Sequence, residues 1–102
     1  MRFVEWSRTA QYDLERLIDY IAIDNPPAAN RVAERIDRAA RFLGDIATGR
    51  TGRVTGTYEK IVPGLPYILA YRIVQRRDGG EAIVIVRVIH GARKWLAEKW
   101  PD

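Results

Sequence analysis

The chain has 102 residues, of which 47% are hydrophobic and 29% charged, and it contains no cysteine and a single histidine. This length and composition predict one folded domain spanning residues 1–102. The lack of thiols excludes disulfides, thiolate nucleophiles and cysteine-based zinc sites, and one histidine cannot form a histidine-rich metal cluster. We therefore expect neither a metal nor any other cofactor.

Hydropathy and charge indicate the localisation of the protein and the kind of partner that it binds. No apolar run approaches the length of a membrane helix, and the N-terminal residues lack a secretion signal, so we expect a cytoplasmic protein with no membrane partner. Residues 1–49 contain 7 Lys or Arg against 8 Asp or Glu, whereas residues 50–102 contain 10 against 5. The net charge of +4 therefore belongs to the second half, where an anionic partner is expected to bind.

The first half has the pattern of a strand followed by two helices. The segment "RFVEW" predicts a short strand, and Ser7 can cap a helix in which apolar residues recur with helical period to about Asp24. Asn25 and the two prolines after it end that helix and begin another, whose apolar period reaches Leu43. Two helices with so short a link form a hairpin.

The second half changes to strand patterns after a glycine-rich loop. Residues 57–62, 67–77 and 82–90 predict three strands, joined by the turn sequences "PGLP" and "DGGE". The predicted fold class is α+β: an N-terminal strand and an α-helical hairpin packed on a small antiparallel β-sheet (β-α-α-β-β-β), with a short C-terminal helix or tail anchored by Trp95 and Trp100.

Alternation along the strands separates the charged side chains. Arg72 shares a face with Ile68 and Ala70. Arg87 falls on the face of Ile83, Ile85 and Ile89, and His90 on the opposite one, unless the strand ends or bulges between them. Because an unpaired charge among aliphatic neighbours is costly, Arg72 and Arg87 each need a partner.

His90 has three interpretations from the residues alone, one of which is a contact for an anionic partner. As a general acid or base it could cleave RNA with Glu59 as the second proton-transfer group and Arg87 or Arg53 stabilising the phosphate. As a structural residue it would form hydrogen bonds with the backbone at the strand end. Composition alone favours the structural role.

The segments "DLERLIDYIAIDNPPAANRVAERI", "GLPYILAYRIV" and "IVIVRVIHGARKW" together resemble the RelE/ParE superfamily of toxins from bacterial type II toxin–antitoxin systems. The resemblance covers nearly the whole chain. It implies the same α+β fold, a role in growth arrest and in plasmid or chromosome stabilisation, and a hetero-oligomer with a cognate antitoxin whose flexible segment wraps the toxin.

Two mechanisms occur in this superfamily. RelE-like members are ribosome-dependent mRNA endonucleases and ParE-like members act on DNA gyrase. The ribonucleases commonly have an arginine at the start of the strand where this chain has Ile68. The sequence of these segments is more similar to the ParE-like branch, which implies a gyrase inhibitor that acts by binding and not as an enzyme. The alternatives are an mRNA interferase that acts on ribosome-bound mRNA, and a non-toxic homologue that only binds antitoxin.

The residues expected to bind the target or the antitoxin are basic or aromatic positions of the second half. They are Arg53, Arg72, Arg87, His90, Arg93 and Trp95. If the protein is a ribonuclease instead, the expected catalytic residues are Glu59, Arg87 and His90.

Overall fold

A computed structural model describes residues 2–47 and 49–91. In these ranges the chain forms, in order, β1 Phe3–Trp6, α1 Arg8–Asp24, α2 Pro26–Asp45, β2 Arg50–Thr51, β3 Tyr58–Ile61, β4 Tyr67–Gln75 and β5 Glu81–His90. The predicted α+β class with a helical hairpin is confirmed. The predicted C-terminal helix or tail lies outside the described residues.

Both predicted helix starts are capped by the expected side chains. The Ala10 N–H donates to Ser7 Oγ at 3.1 Å, and the Ala28 N–H donates to Asn25 Oδ1 at 3.0 Å. Each bond satisfies an amide that has no partner within the first helical turn. The second helix continues past Leu43 and includes Gly44, whose carbonyl accepts a 2.7 Å hydrogen bond from the Arg2 N–H.

The sheet has the strand order β1-β5-β4-β3-β2. Strands β3, β4 and β5 form the predicted antiparallel meander. The sequence left the pairing of the first strand open, and in the structure β1 pairs with β5 in parallel, Phe3 opposite Ala82. The whole chain between them, including the helical hairpin, serves as the crossover that parallel neighbours need. The two-residue β2 pairs with β3 inside the segment expected to be a loop.

The helices cover one face of the sheet and bury the main core there. Leu69 and Tyr71 of β4 belong to that core, whereas Ile68 and Ala70 belong to a second cluster on the opposite face, as alternation predicts. Further members of the main core are Ile36, Ala40, Leu43, Ile83 and Ile85. We call the opposite face, which carries the second cluster, the outer face.

In β5 the predicted alternation fails halfway along the strand. Tyr71 pairs with Ile85 and Ala70 with Arg87, so Val86 is an extra residue and the strand bulges there. Ile85 therefore lies in the helix-side core while Ile89 lies in the outer-face cluster. The expectation that Arg87 shares a face with Ile83 and Ile85 is wrong, because the bulge reverses the alternation, whereas Ile89 does share the outer face with Arg87.

Within the described residues, no helix combines the length and the apolar character that a membrane span requires. In the same ranges no group of three or more His, Cys, Asp or Glu side chains could hold a metal ion.

Candidate functional site

Arg87 is held by Asp13 at the edge of β5. Strand β1 pairs with β5 only as far as Ile85, so the edge beyond is open to the first turns of α1. Asp13 Oδ2 accepts hydrogen bonds from Arg87 Nε at 2.7 Å and from the Val88 N–H at 3.0 Å, and its Oδ1 accepts from Arg87 Nη2 at 3.2 Å. The partner that the sequence requires for Arg87 is therefore internal.

His90 lies beside Tyr67 in a cleft between α1 and the ends of β4 and β5. The two rings meet edge to face with centroids 5.5 Å apart. The cleft has a volume of about 420 Å³. Its lining includes both Arg87 and His90, although the register places Arg87 opposite Ala70 of the outer face and His90 opposite Tyr67 of the helix side, as predicted. The long Arg87 side chain reaches over the open strand edge, where alternation does not constrain it. The other lining residues are Asp13, Arg16, Leu17, Tyr20, Ile21, Tyr67 and Val88.

Glu59 is buried and fully engaged by arginines on β2 and the loop that follows. Only 3% of the residue is exposed. Its Oε2 accepts from the Arg53 backbone N–H and from Arg53 Nε, both at 2.9 Å, and its Oε1 accepts from Arg53 Nη2 at 3.1 Å. Burial by itself would raise the pKa of Glu59, but these hydrogen bonds and the charges of Arg53 and Arg50 outweigh it and hold the pKa below its ordinary value.

The three residues expected for ribonuclease chemistry are not brought together. Glu59 pairs with Ala70, and residues directly opposite each other on neighbouring strands share a face, so Glu59 points to the outer face. His90 lies opposite Tyr67 on the helix side, and the Arg87 guanidinium turns over the strand edge to Asp13. Both line the cleft, and Glu59 does not.

Arg72 remains as a candidate without an internal partner among the described residues. It lies on β4 opposite Val84, next to the outer-face cluster, and its Nε is buried with no hydrogen-bond partner in the described part of the chain. The other expected binding residues, Arg93 and Trp95, lie outside the described residues.

A groove between α2 and β3, lined by both basic and apolar residues, was not predicted from the sequence. Its volume is about 600 Å³. Its lining is Arg35, Arg38, Ala39, Phe42, Lys60, Pro63 and Gly64, a set without any carboxylate. Lys60 Nζ lies 5.8 Å from the centre of the half-exposed Phe42 ring. None of the three cations forms an ion pair with a described residue. We call this the α2–β3 groove.

The sequence contains a signal that could have revealed the groove. Arg35, Arg38 and Phe42 follow at spacings of three and four, which places them on one side of α2. Phe42 departs from the apolar period of the buried face, and an aromatic residue among arginines on the outer side of a helix is typical of a binding surface.

The protein is a small α+β domain in which a helical hairpin covers one face of a five-stranded sheet, with a basic groove beside the second helix. Residues 4–95 match the family described as "ParE toxin of type II toxin-antitoxin system, parDE". The chain belongs to this family of toxins.

Individual relatives agree with this membership. The chain is 37% identical over 93 residues to Y4kP of Sinorhizobium fredii, with 90% of this chain and 91% of the relative covered. It is 36% identical over 94 residues to Toxin RelE2 of Caulobacter vibrioides, covering 91% of this chain and 99% of the relative. A chain of the chromosomal ParDE TA system from P. aeruginosa has the same fold, with a TM-score of 0.77 and 23% identity over 88% of this chain and 96% of that one.

Proposed function

We propose that this ParE-family toxin arrests growth by binding and inhibiting DNA gyrase, without cleaving RNA. The observation that carries the proposal is the separation of Glu59 from Arg87 and His90. General acid–base catalysis requires both groups within hydrogen-bond reach of the reacting atoms. Here the carboxylate faces away from the cleft and is already bound by Arg53.

The hydrogen bonds that Arg53 and Arg87 already form support the same proposal. Each arginine expected to stabilise a phosphate has its Nε on a carboxylate: Arg53 on Glu59 and Arg87 on Asp13. Two N–H donors of each guanidinium are therefore engaged by a carboxylate, whose negative charge also opposes the approach of a phosphate. A mechanism based on binding does not require these arginines to hold a phosphate.

The test compares gyrase activity with RNA cleavage for the purified protein. We expect it to inhibit supercoiling of a relaxed plasmid by gyrase. Primer extension on mRNA translated in a reconstituted system should show no new ends. Unchanged supercoiling at high excess of protein, together with new mRNA ends that His90→Ala abolishes, would establish the ribonuclease alternative.

We further propose that the cognate antitoxin places an acidic, amphipathic segment in the α2–β3 groove. Three cations without a described ion-pair partner favour carboxylates, while Phe42 and Ala39 provide an apolar floor. This location lies partly outside the second half of the chain, where the charge distribution placed the partner, because Arg35 and Arg38 belong to α2.

Co-purification with the product of a small adjacent gene tests the antitoxin site. The double variant Arg35→Glu, Arg38→Glu should lose capture of this product, because two attractions become repulsions. The matched variant Arg8→Glu, Arg77→Glu reverses two exposed charges, on α1 and in the β4–β5 turn, that do not line the groove, and it should retain capture. Equal capture by both variants would exclude the groove. Absence of growth arrest on expression of the wild-type chain alone would favour the non-toxic homologue.

A further inference from the structure

Four side chains on the solvent side of α1 form a continuous stripe. Tyr12, Arg16, Tyr20 and Ile23 are spaced by four, four and three residues, which places them on one side of the helix. Tyr12 is 57% exposed, Tyr20 75% and Ile23 79%, and the last two are the most exposed large hydrophobic residues in the described chain. Arg16 Cζ lies 5.6 Å from the centre of the Tyr12 ring. We call this set the α1 stripe.

The stripe has a geometry suited to a protein partner. Tyr20 also lines the cleft that contains Tyr67 and His90, so the exposed ridge of α1 continues into a concavity of about 420 Å³. Tyrosine and arginine are the residue types that most often dominate binding energy at protein interfaces. Large apolar side chains left in water on one stripe, beside a cavity that can receive a protruding side chain, are typical of an interaction site.

Carboxylates flank the stripe on both sides. Glu15 and Asp19 precede it around the helix, and Asp24 follows it at the helix end, by the 100° step between successive residues. All three are exposed and form no ion pair with a described residue. Residues 8–24 contain 2 arginines against 4 acids, and the charge of one acid, Asp13, is matched by Arg87, which leaves α1 at −1 in a chain that is net +4. Exposed acids therefore outnumber exposed arginines on α1.

We propose that the α1 stripe is the docking surface for a folded protein partner that presents cationic side chains. The inference rests on the proposed function, since that partner is the protein that the toxin inhibits. The surface differs in charge and in residues from the α2–β3 groove, so the target and the antitoxin contact different sides of the molecule.

The carboxylates that flank the α1 stripe argue against other binding partners at this surface. Nucleic acid and anionic membranes carry phosphates, which Glu15, Asp19 and Asp24 repel. A second copy of the chain docking stripe to stripe would place these carboxylates against their equivalents. A cationic protein surface meets the aromatic side chains and the flanking acids at the same time.

The experiment measures growth arrest and gyrase inhibition for variants of the stripe in the full chain. Tyr20→Ala with Ile23→Ala removes two exposed anchors, and Asp19→Lys reverses one flanking charge. Each is expected to raise the concentration needed for half-inhibition at least about tenfold, as loss of an interface hot spot does. Antitoxin capture and the melting temperature should stay unchanged. Matched controls are Val74→Ala, an exposed apolar residue of β4, and Glu34→Lys, an exposed acid of α2.

Three results would overturn the proposal. Stripe variants could arrest growth as the wild-type chain does. They could lose antitoxin capture together with toxicity, which would place the antitoxin on the stripe. Sedimentation could show a dimer that the stripe variants abolish. If gyrase is not the target, the wild-type chain will arrest growth without inhibiting supercoiling. The effect of the stripe variants on growth arrest would then still test the docking surface.

Discussion

Asp13 and Arg87, 74 residues apart in the chain, form the contact that fixes α1 against the end of β5. The carboxylate closes two hydrogen bonds with the guanidinium and a third with the Val88 amide next to the bulge. Their side chains are only 14% and 13% exposed, respectively. A charge pair so far removed from water is costly to break from one side, because the remaining charge keeps its desolvation cost.

Asp13→Ala should therefore lower the free energy of unfolding by about 3 kcal/mol, the usual cost of leaving one member of a buried pair alone. Urea unfolding followed by circular dichroism measures the change. The double variant Asp13→Ala, Arg87→Met should recover part of the loss, since no charge is then left without a partner. Asp19→Ala on the exposed side of α1 serves as the control. A loss below about 0.5 kcal/mol, the level of a neutral surface change, would show that the contact does not hold the helix.

Glu59 should make stability dependent on pH in the acid range. Because its pKa is lower in the folded chain than its ordinary value of 4.5, the folded state binds the proton more weakly than the unfolded state. Its contribution is complete above the ordinary value and is lost as the pH falls through the lowered pKa. At neutral pH, Glu59→Gln should cost about 2 kcal/mol, since it weakens hydrogen bonds to a charged group.

Urea unfolding of wild type and Glu59→Gln at several pH values between 7 and 3 measures this dependence. The difference between the two should shrink as the pH falls. The control is Glu34→Gln, an exposed residue of α2, whose difference should stay near zero throughout. A difference for Glu59→Gln that is constant with pH would contradict the lowered pKa.

Gly44 should not accept any side chain. A Cβ there would lie 2.8 Å from the Arg2 carbonyl oxygen and 3.0 Å from Val4 Cγ2, where α2 approaches β1. Although alanine favours helices, Gly44→Ala should destabilise the protein by about 1–3 kcal/mol, because the helix must move away from the strand. Thermal melting measures the shift. Gly56→Asn tests a glycine with positive φ and open space, which asparagine tolerates, and should melt close to wild type.

Arg72 separates stability from binding. Its buried Nε has no hydrogen-bond partner among the described residues, so Arg72→Met keeps the apolar stem, removes the charge and should leave the unfolding free energy unchanged or higher. We expect the same variant to weaken antitoxin capture or growth arrest, because the charge then serves an external group. Arg53→Met is the contrast, since it leaves Glu59 buried without its main partner and should unfold more easily. A large loss of stability in Arg72→Met would show an internal role.

Local patterns were sufficient where neighbouring residues decide the structure. The helix caps at Ser7 and Asn25, the two helical periods and the meander of β3, β4 and β5 follow from spacings of a few residues, and all are observed. The resemblance to the RelE/ParE superfamily indicated the family that the comparison then showed. The alternation of β4 likewise separated Leu69 and Tyr71 from Ile68 and Ala70, as observed.

What the local patterns left open or predicted wrongly depends on relationships between distant segments. Whether β1 pairs in parallel or antiparallel depends on where the helical hairpin returns the chain, which no local pattern contains. The bulge at Val86 reverses a face halfway along β5, and two-residue alternation cannot register one extra residue. The groove and the α1 stripe were not predicted because both are formed by exposed side chains of the helices, whereas apolar periodicity identifies the buried ones.

By itself, the sequence determined the elements, the fold class and the superfamily, because periodicity, capping and turn chemistry act over a few residues and leave local traces. Only the tertiary structure decided which charges meet. In the fold, Arg87 forms an ion pair with Asp13 and Glu59 forms one with Arg53, and Glu59 and His90 lie on opposite sides of the sheet. Electrostatic pairing depends on distance in space, and residues 74 positions apart become neighbours only when the chain has folded.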